Sequence, residues 1–328
     1  MKRIVNIAAR LSEAISTFLL SGDSARLIER ATEDNPWFSR EDIRNSIEAI
    51  SSQMLNAERL EEWLSHYPAT QSSKRRRIAI IMAGNIPLVG FADLLCTLAA
   101  GHEAWVKPSS KDRVLMEYIC QALKEIDPDI PIYKYDEDAH YDGVIATGGD
   151  QANRYFEQKF QSVKRLCRGN RHSVAVLSSK EDDRQLQLLS EDIYSYSGLG
   201  CRNVSMIFSP RGKGIKLPTV ETHPKYRNNY LQTRALLTLR ELDFVDTGCS
   251  VIINSKEFPQ SLSTISLFEY DSLEEVEQWI EQHDEQLQCI VSRVIKHARC
   301  VDFGEAQHPT LFDYADGVDT MKFLEFNN

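Results

Sequence analysis

From Ile78 onward the chain repeats one pattern, and that pattern restricts the fold more than any other feature. IAIIMA (Ile78 to Ala83) is a short, wholly apolar run, and it is followed by the helix-length segment LVGFADLLCTLAA, closed by Gly101. EAWVK (Glu103 to Lys107) is the next strand-like run, then the amphipathic KDRVLMEYICQALKEI. IPIYKY (Ile130 to Tyr135), DGVIAT (Asp142 to Thr147), a helix over Gln151 to Phe160 and HSVAVL (from His172) continue the series. Strands apolar throughout are covered on both faces, and strands joined by helices of ten or more residues pair in parallel. Open sheets of this kind bind ligands beyond the carboxyl ends of their strands. The loops after Ala83, Lys107 and Thr147 are therefore the places to seek chemistry.

A length of 328 residues exceeds what one domain usually holds. Residues 1–75 read as a helical N-terminal segment. Within it Ser39 and Asp42 have the spacing of a capping box, and Ile43, Ile47, Ile50, Met54 and Leu55 follow at helical intervals. Residues 76–195 read as a parallel-sheet α/β domain, 196–300 as a second α/β domain, and 301–328 as a C-terminal tail packing back. In the second domain CRNVSMIFSP (201–210) reads as a strand, and a polar loop follows from Arg211 to about Arg227. Strands over Ser250 to Asn254 and Thr264 to Tyr270 come next, then a helix that Ser272 and Glu275 are spaced to cap.

Charge and composition exclude several classes. A formal net charge of −10 opposes general nucleic-acid binding, which needs a broad basic surface. The one basic cluster, Lys74 to Arg77, directly precedes an apolar strand and reads as its solvated entrance. No run reaches the roughly 18 apolar residues of a membrane span, and Arg10 and Glu13 interrupt the N-terminal apolar stretch, so neither a span nor a signal peptide is expected. Seven cysteines without paired spacing suit free thiols in a reducing, cytoplasmic compartment. No C-x-x-C or H-E-x-x-H occurs, so no metal site is expected.

Three loops and one turn can carry chemistry, each with a plain alternative. Asn85 in GNIPL can cap the following helix or donate to a ligand. Lys107, emerging from a strand ahead of Pro108, Ser109 and Ser110, is either solvated or set to meet a phosphate or ribose. Thr147, Gly148 and Gly149 precede a helix and let a flat ring or a phosphate approach the backbone. The fingerprint G-x-G-x-x-G is absent, so the sequence gives no support to an ordinary Rossmann dehydrogenase. Cys201, in SGLGCRN, is either a buried small residue or a nucleophile; the other six cysteines lie in helical or strand-like segments and read as structural. His223, Lys225, Arg227 and Asn228 in the polar loop are either solvated or placed for the phosphates of CoA or a carrier protein's acidic face.

Taken in order, GNIPL, LAAGHEAWVKPS, ATGG and SGLGC resemble the signature loops of the aldehyde dehydrogenase superfamily over about residues 80 to 210. The short length, the glycine-flanked cysteine and the C-terminal DYADGVDTMKFLEF resemble the LuxC-type acyl-CoA reductases within it. The resemblance implies an α/β, aldehyde-dehydrogenase-like fold: a parallel-sheet cofactor domain, a second α/β catalytic domain and the helical N-terminal segment. It implies Cys201 as nucleophile, Asn85 as the side-chain amide of an oxyanion hole, and Lys107 as the contact to the adenosine ribose or its phosphate. It also implies that Thr147, Gly148 and Gly149 face the cofactor's nicotinamide half.

Three departures qualify what the resemblance implies. Hydrolytic aldehyde dehydrogenases carry a glutamate in E-L-G-G-K to activate water; the matching stretch here is Leu166-Cys167-Arg168-Gly169-Asn170, without that base. A general base contributes about 10²–10⁴-fold, so a thioacyl enzyme should exchange with thiols faster than it hydrolyses. Ser110 stands where NAD-preferring members have a glutamate that would repel a 2′-phosphate, which favours NADPH, with NADH as the alternative. Leu199 replaces the glutamine of G-Q-x-C, a change without an account. The expected activity is NADPH-dependent reduction of an acyl-CoA or acyl-carrier thioester to an aldehyde. The rivals are an aldehyde dehydrogenase or acyl-phosphate reductase of the same superfamily, and a non-catalytic partner subunit. A homo-oligomer or a partner enzyme of acyl metabolism is the expected company.

Overall fold

The computed structural model describes residues 2–67 and 74–326, so the far end of the 1–75 segment (residues 68–73) lies outside the described residues. The chain forms two compact units, Met1–Asn170 with Pro309–Asn328, and Arg171–His308.

The first unit opens with four helices, α1 (Lys2–Leu19), α2 (Gly22–Asp34), α3 (Arg40–Ala49) and α4 (Ala57–Ser65), with a π-turn over Ile50–Met54. The Ser39–Asp42 capping box forms: Ser39 Oγ accepts from Asp42 N–H at 2.9 Å, and Asp42 Oδ2 accepts from Ser39 N–H at 3.2 Å. Next come β1 (Arg77–Ile81), α5 (Phe91–Ala99), β2 (Glu103–Lys107), α6 (Arg113–Ile126), β3 (Ile132–Lys134), β4 (Gly143–Thr147), α7 (Asp150–Lys159) and β5 (Lys164–Arg168). The five strands pair in parallel in the order β3-β2-β1-β4-β5. Central β1 is apolar on both faces. Ile78 and Ile80 pack under the N-terminal helices, while Ala79 and Ile81 pack with Val144, Ala146 and Phe160. The order reverses between β1 and β4, a switch point of the kind that opens a crevice at the carboxyl edge. Gly101, at φ +80°, ends α5: its N–H donates to Leu98 O and that of His102 to Thr97 O, the two bonds of a Schellman motif.

The second unit contains β6 (His172–Val176), α8 (Asp183–Tyr194), β7 (Val204–Pro210), α9 (Pro224–Leu239), β8 (Val245–Asp246), β9 (Val251–Asn254), β10 (Thr264–Tyr270), α10 (Leu273–Gln282), β11 (Leu287–Ser292) and β12 (Cys300–Val301). Its sheet runs β12-β11-β6-β7-β10-β9-β8, parallel except for the β8–β9 pair. The architecture is the expected α/β one, with parallel β1–β5, a mixed second sheet and N-terminal helices.

Four details differ from the sequence reading. KRLCR forms β5, which its charged residues hid: Lys164 and Arg165 are exposed at the sheet edge. The strand from His172, placed by the 76–195 boundary with the first sheet, is hydrogen-bonded between β11 and β7 in the second. The polar loop ends at His223, because Pro224 at the first helical position starts α9, so Lys225, Arg227 and Asn228 lie on a helix. Ser272 stands at the N-cap of α10 without a side-chain capping bond. Among the described residues no single helix is long and apolar enough to cross a membrane; α1 and α2 pass that test only as a pair bent by 90°.

Candidate active site

The segment after β1 is fixed by polar side chains from three directions. Asn35, buried after α2, donates its Nδ2 to Gly84 O at 3.2 Å. Ser46 of α3 donates its Oγ to Pro87 O at 2.6 Å. Asp112, at the start of α6, accepts from Leu88 N–H at 2.9 Å. Leu88 has φ +58°, a conformation costing about 1–2 kcal/mol for an L-residue, and this hydrogen bond helps hold it there. Burial pushes the Asp112 carboxyl up to about 8, the Leu88 hydrogen bond only partly opposing it, and its Oδ1 has no partner among the described residues. Asn85 lies half-buried in this segment, and α5 begins at Phe91 with Gly90 as its N-cap, so Asn85 does not cap that helix.

The loop after β2 packs directly on the first. A Cβ on Gly84 would fall 2.6 Å from Ser109 Cβ and Oγ, so only glycine permits the approach. Lys107 ends β2, on the same face as Trp105, with its ammonium 3.2 Å from Glu137 Oε1. Pro108 and Ser109 are half-buried and Ser110 is exposed. At the end of β4, Gly148 N–H donates to Arg168 O at 3.1 Å, and a Cβ on Gly148 would strike Ala152 Cβ at 2.9 Å. A Cβ on Gly149 would meet nothing nearer than the Asn170 side chain at 3.9 Å, which leaves space beside the backbone that opens α7. Beneath this edge Arg168 Nη1 donates to both Asp93 oxygens, at 2.7 and 2.6 Å, and Nη2 to Thr320 Oγ1 at 2.8 Å. The sheet thus brings the Asn85, Lys107 and Thr147 loops to one carboxyl edge. A cation ending β2 and an open glycine backbone ending β4 fit a nicotinamide dinucleotide.

Cys201 belongs to the second unit. The strand expected from residue 201 begins only at Val204, because Gly200 to Asn203 close a turn: Asn203 N–H donates to Gly200 O at 3.1 Å, and Gly200 N–H to Asn203 Oδ1 at 2.8 Å. The Asn203 amide is buried, and its Nδ2 donates to the carbonyls of Asp192, Ile193 and Ser195 at 3.2, 3.2 and 2.9 Å. Tyr196 and Ser197, at φ +52° and +57°, and Gly198 at +65° make a left-handed run into the turn. Ser173 Oγ donates to Cys201 O at 2.8 Å, and the Arg202 guanidinium donates to Ala306 O. Asp192 fixes that second anchor by accepting from Gly304 and Ala306 N–H at 2.7 and 2.9 Å.

The sulfur of Cys201 is on a half-buried residue, whereas Cys96, Cys249 and Cys289 are buried. Burial raises the thiols of Cys96, Cys120, Cys167 and Cys300 above their ordinary value. His172 opens β6 and stacks on Phe258, 4.1 Å between ring centroids. Leu166, where a water-activating glutamate was sought, is a partly buried residue of β5 packed on the first core. Sequence reasoning missed Asn35, Ser46 and Asp112, whose partners are backbone atoms far along the chain. It also passed over Asn203, although SGLGCRN displays that residue.

The acyl-CoA reductase (LuxC) family model matches residues 19–222 of this chain. A long-chain acyl-protein thioester reductase of Aliivibrio fischeri is 24% identical over 168 residues, which cover 45% of this chain and 35% of that protein. The chain thus spans about a third of that relative's length. Among solved structures, an acetylating aldehyde dehydrogenase from Geobacillus thermoglucosidasius matches with a TM-score of 0.61 and 11% identity, over 94% of this chain and 85% of that one. The NAD⁺ complex of an aldehyde dehydrogenase from Bacillus cereus matches with a TM-score of 0.58 and 14% identity, over 88% and 71%.

Proposed function

Because the chain belongs to the LuxC acyl-CoA reductase family, we propose that it reduces an acyl thioester to an aldehyde through a thioacyl enzyme on Cys201, with NADPH as reductant. The observation that carries this reading is the turn from Gly200 to Asn203. It fixes the backbone of Cys201 from both sides and leaves its residue half-buried, while other thiols are sequestered or pushed up.

In this mechanism the Cys201 thiolate attacks the thioester carbonyl carbon, and a new sulfur–carbon bond forms. The donor thiolate, from CoA or an acyl-protein thioester, departs and takes a proton. NADPH, when bound, would supply the hydride that reduces this carbon. The carbon–sulfur bond to Cys201 then breaks, releasing the aldehyde and restoring the thiolate. One thioester, one NADPH and one proton give one aldehyde, one free thiol and one NADP⁺. The Asn85 amide donates to the carbonyl oxygen as negative charge gathers there, and the bonds from Asn35, Ser46 and Asp112 keep its loop in place. Losing one oxyanion donor costs roughly 3–4 kcal/mol, so Asn85→Ala should lower turnover by about 10²–10³-fold. Lys107 would hold the adenosine end of that cofactor, and the Thr147–Gly149 backbone would hold its nicotinamide end. Leu166 offers no base to activate water, so the thioacyl enzyme persists until hydride arrives.

Brief exposure to acyl-CoA without cofactor should add the mass of one acyl group to the intact protein, and Cys201→Ala should abolish the adduct. With NADPH present, free CoA should appear in proportion to cofactor consumed. Unchanged turnover in Cys201→Ala refutes the assignment.

A further inference from the structure

Two lysines of the first unit converge on a single carboxylate oxygen at the end of β2. Glu137 Oε1 lies 3.2 Å from Lys107 Nζ and 3.8 Å from Lys159 Nζ. The Lys107 ammonium also sits 5.0 Å above the Tyr135 ring, which stacks on Tyr141. The chain path makes this meeting. Tyr135 N–H donates to Val106 O at 3.0 Å, continuing the β2–β3 pairing, and the Tyr141 hydroxyl clasps Asp136 by donating to its carbonyl at 2.6 Å and accepting from its N–H at 2.9 Å. Glu137 is thereby carried over Lys107. The side chains are accessible, 48% for Lys107 and 67% for Glu137, so the pair is solvated and readily parted.

Lys107 ends β2 at the carboxyl edge where such sheets bind ligands, and the resemblance puts it at the adenosine ribose, the part of the cofactor that differs between NADH and NADPH. We propose that Lys107 and Lys159 form the subsite for the 2′-phosphate of NADPH, and that Glu137 occupies it as an internal competitor until the phosphate displaces it. This rests on the reductase reading above and adds the residues that set cofactor preference. Solvated ion pairs are weak, so the two together tax the incoming phosphate by a factor of only about three to ten. A 2′-hydroxyl carries no charge to compete for the lysines, so NADH escapes that tax.

The test is equilibrium binding by the full chain. NADPH and NADH are titrated by nicotinamide fluorescence, and 2′,5′-ADP and 5′-AMP by calorimetry, into wild type, Glu137→Gln and Lys159→Met. Glu137→Gln should tighten NADPH and 2′,5′-ADP by about three- to tenfold and leave NADH and 5′-AMP within twofold. Lys159→Met should weaken the two phosphorylated ligands by a similar factor. Weakened NADH binding in Glu137→Gln would make Glu137 a ribose-hydroxyl acceptor and overturn the proposal. Failure of wild type to bind either dinucleotide removes the reductase reading itself. Binding of both with an unchanged NADPH-to-NADH ratio in the two variants sinks only the present assignment.

Discussion

Replacing Asn203 by alanine should damage both stability and the reactivity of the neighbouring thiol. The side chain is 4% exposed and engages four backbone groups: Gly200 N–H, and the carbonyls of Asp192, Ile193 and Ser195. An amide has only two N–H donors, so three carbonyls share them, and three bonds' worth of interaction is a fair count. At about 1 kcal/mol net for each, the loss is about 3 kcal/mol. Tyr196 and Ser197 store a further ~1 kcal/mol or more each in the left-handed region, and without the amide the segment can relax away from that shape. Urea unfolding gives the stability change, and the alkylation rate of each cysteine by iodoacetamide, read by peptide mass spectrometry, gives the reactivity. Asn203→Ala should lose about 3 kcal/mol and change the Cys201 rate several-fold, with the buried thiols unaffected in the folded state. A loss below about 1 kcal/mol with an unchanged Cys201 rate would show that the turn holds itself without this amide.

Asp112 should make stability fall with rising pH. Its folded carboxyl titrates at about 8 against ~3.9 when unfolded, so between those values the native state holds a proton that the unfolded state lacks. The slope reaches up to ~1.4 kcal/mol per pH unit and vanishes above the folded value. Asp112→Asn, which cannot ionise, should flatten it, and identical urea midpoints against pH in the two proteins would refute this. Asp93→Ala leaves the Arg168 guanidinium buried without its carboxylate and should cost about 3–5 kcal/mol in urea unfolding. Adding Arg168→Met should recover much of that loss, and no recovery would mean that packing rather than charge dominates the site.

Residues whose environment is set by local pattern were legible before any coordinates. Ile78 to Ile81 are apolar on successive positions because β1 is covered on both faces, and that alone placed the central strand. The glycine after α5 and the Ser39 cap are likewise local signals. β5 was not legible, since KRLCR at a sheet edge shows water its charged positions and has no apolar run to detect. The strand from His172 was visible, but an apolar strand carries no mark of which sheet it joins; that is decided by pairing with Leu287 to Ser292, more than a hundred residues later. The site divides in the same way. Gly148 and Gly149 announce an open backbone, whereas the approach of Ser109 to Gly84 and the meeting of Glu137 with Lys107 depend on connections that only three-dimensional register defines.

The first unit is assembled from both ends of the chain. Pro309–Asn328 returns to it, placing Met321 and Leu324 in its core and Thr320 against Arg168, with Tyr314 accepting from Trp63 Nε1 at 2.7 Å. Residues 171–308 thus form a unit continuous in sequence, while the unit whose sheet carries Lys107 and Thr147 is completed only by residues 309–328. Deleting residues 309–328 should therefore destabilise the unit that carries Lys107 and Thr147 and spare the unit that carries Cys201.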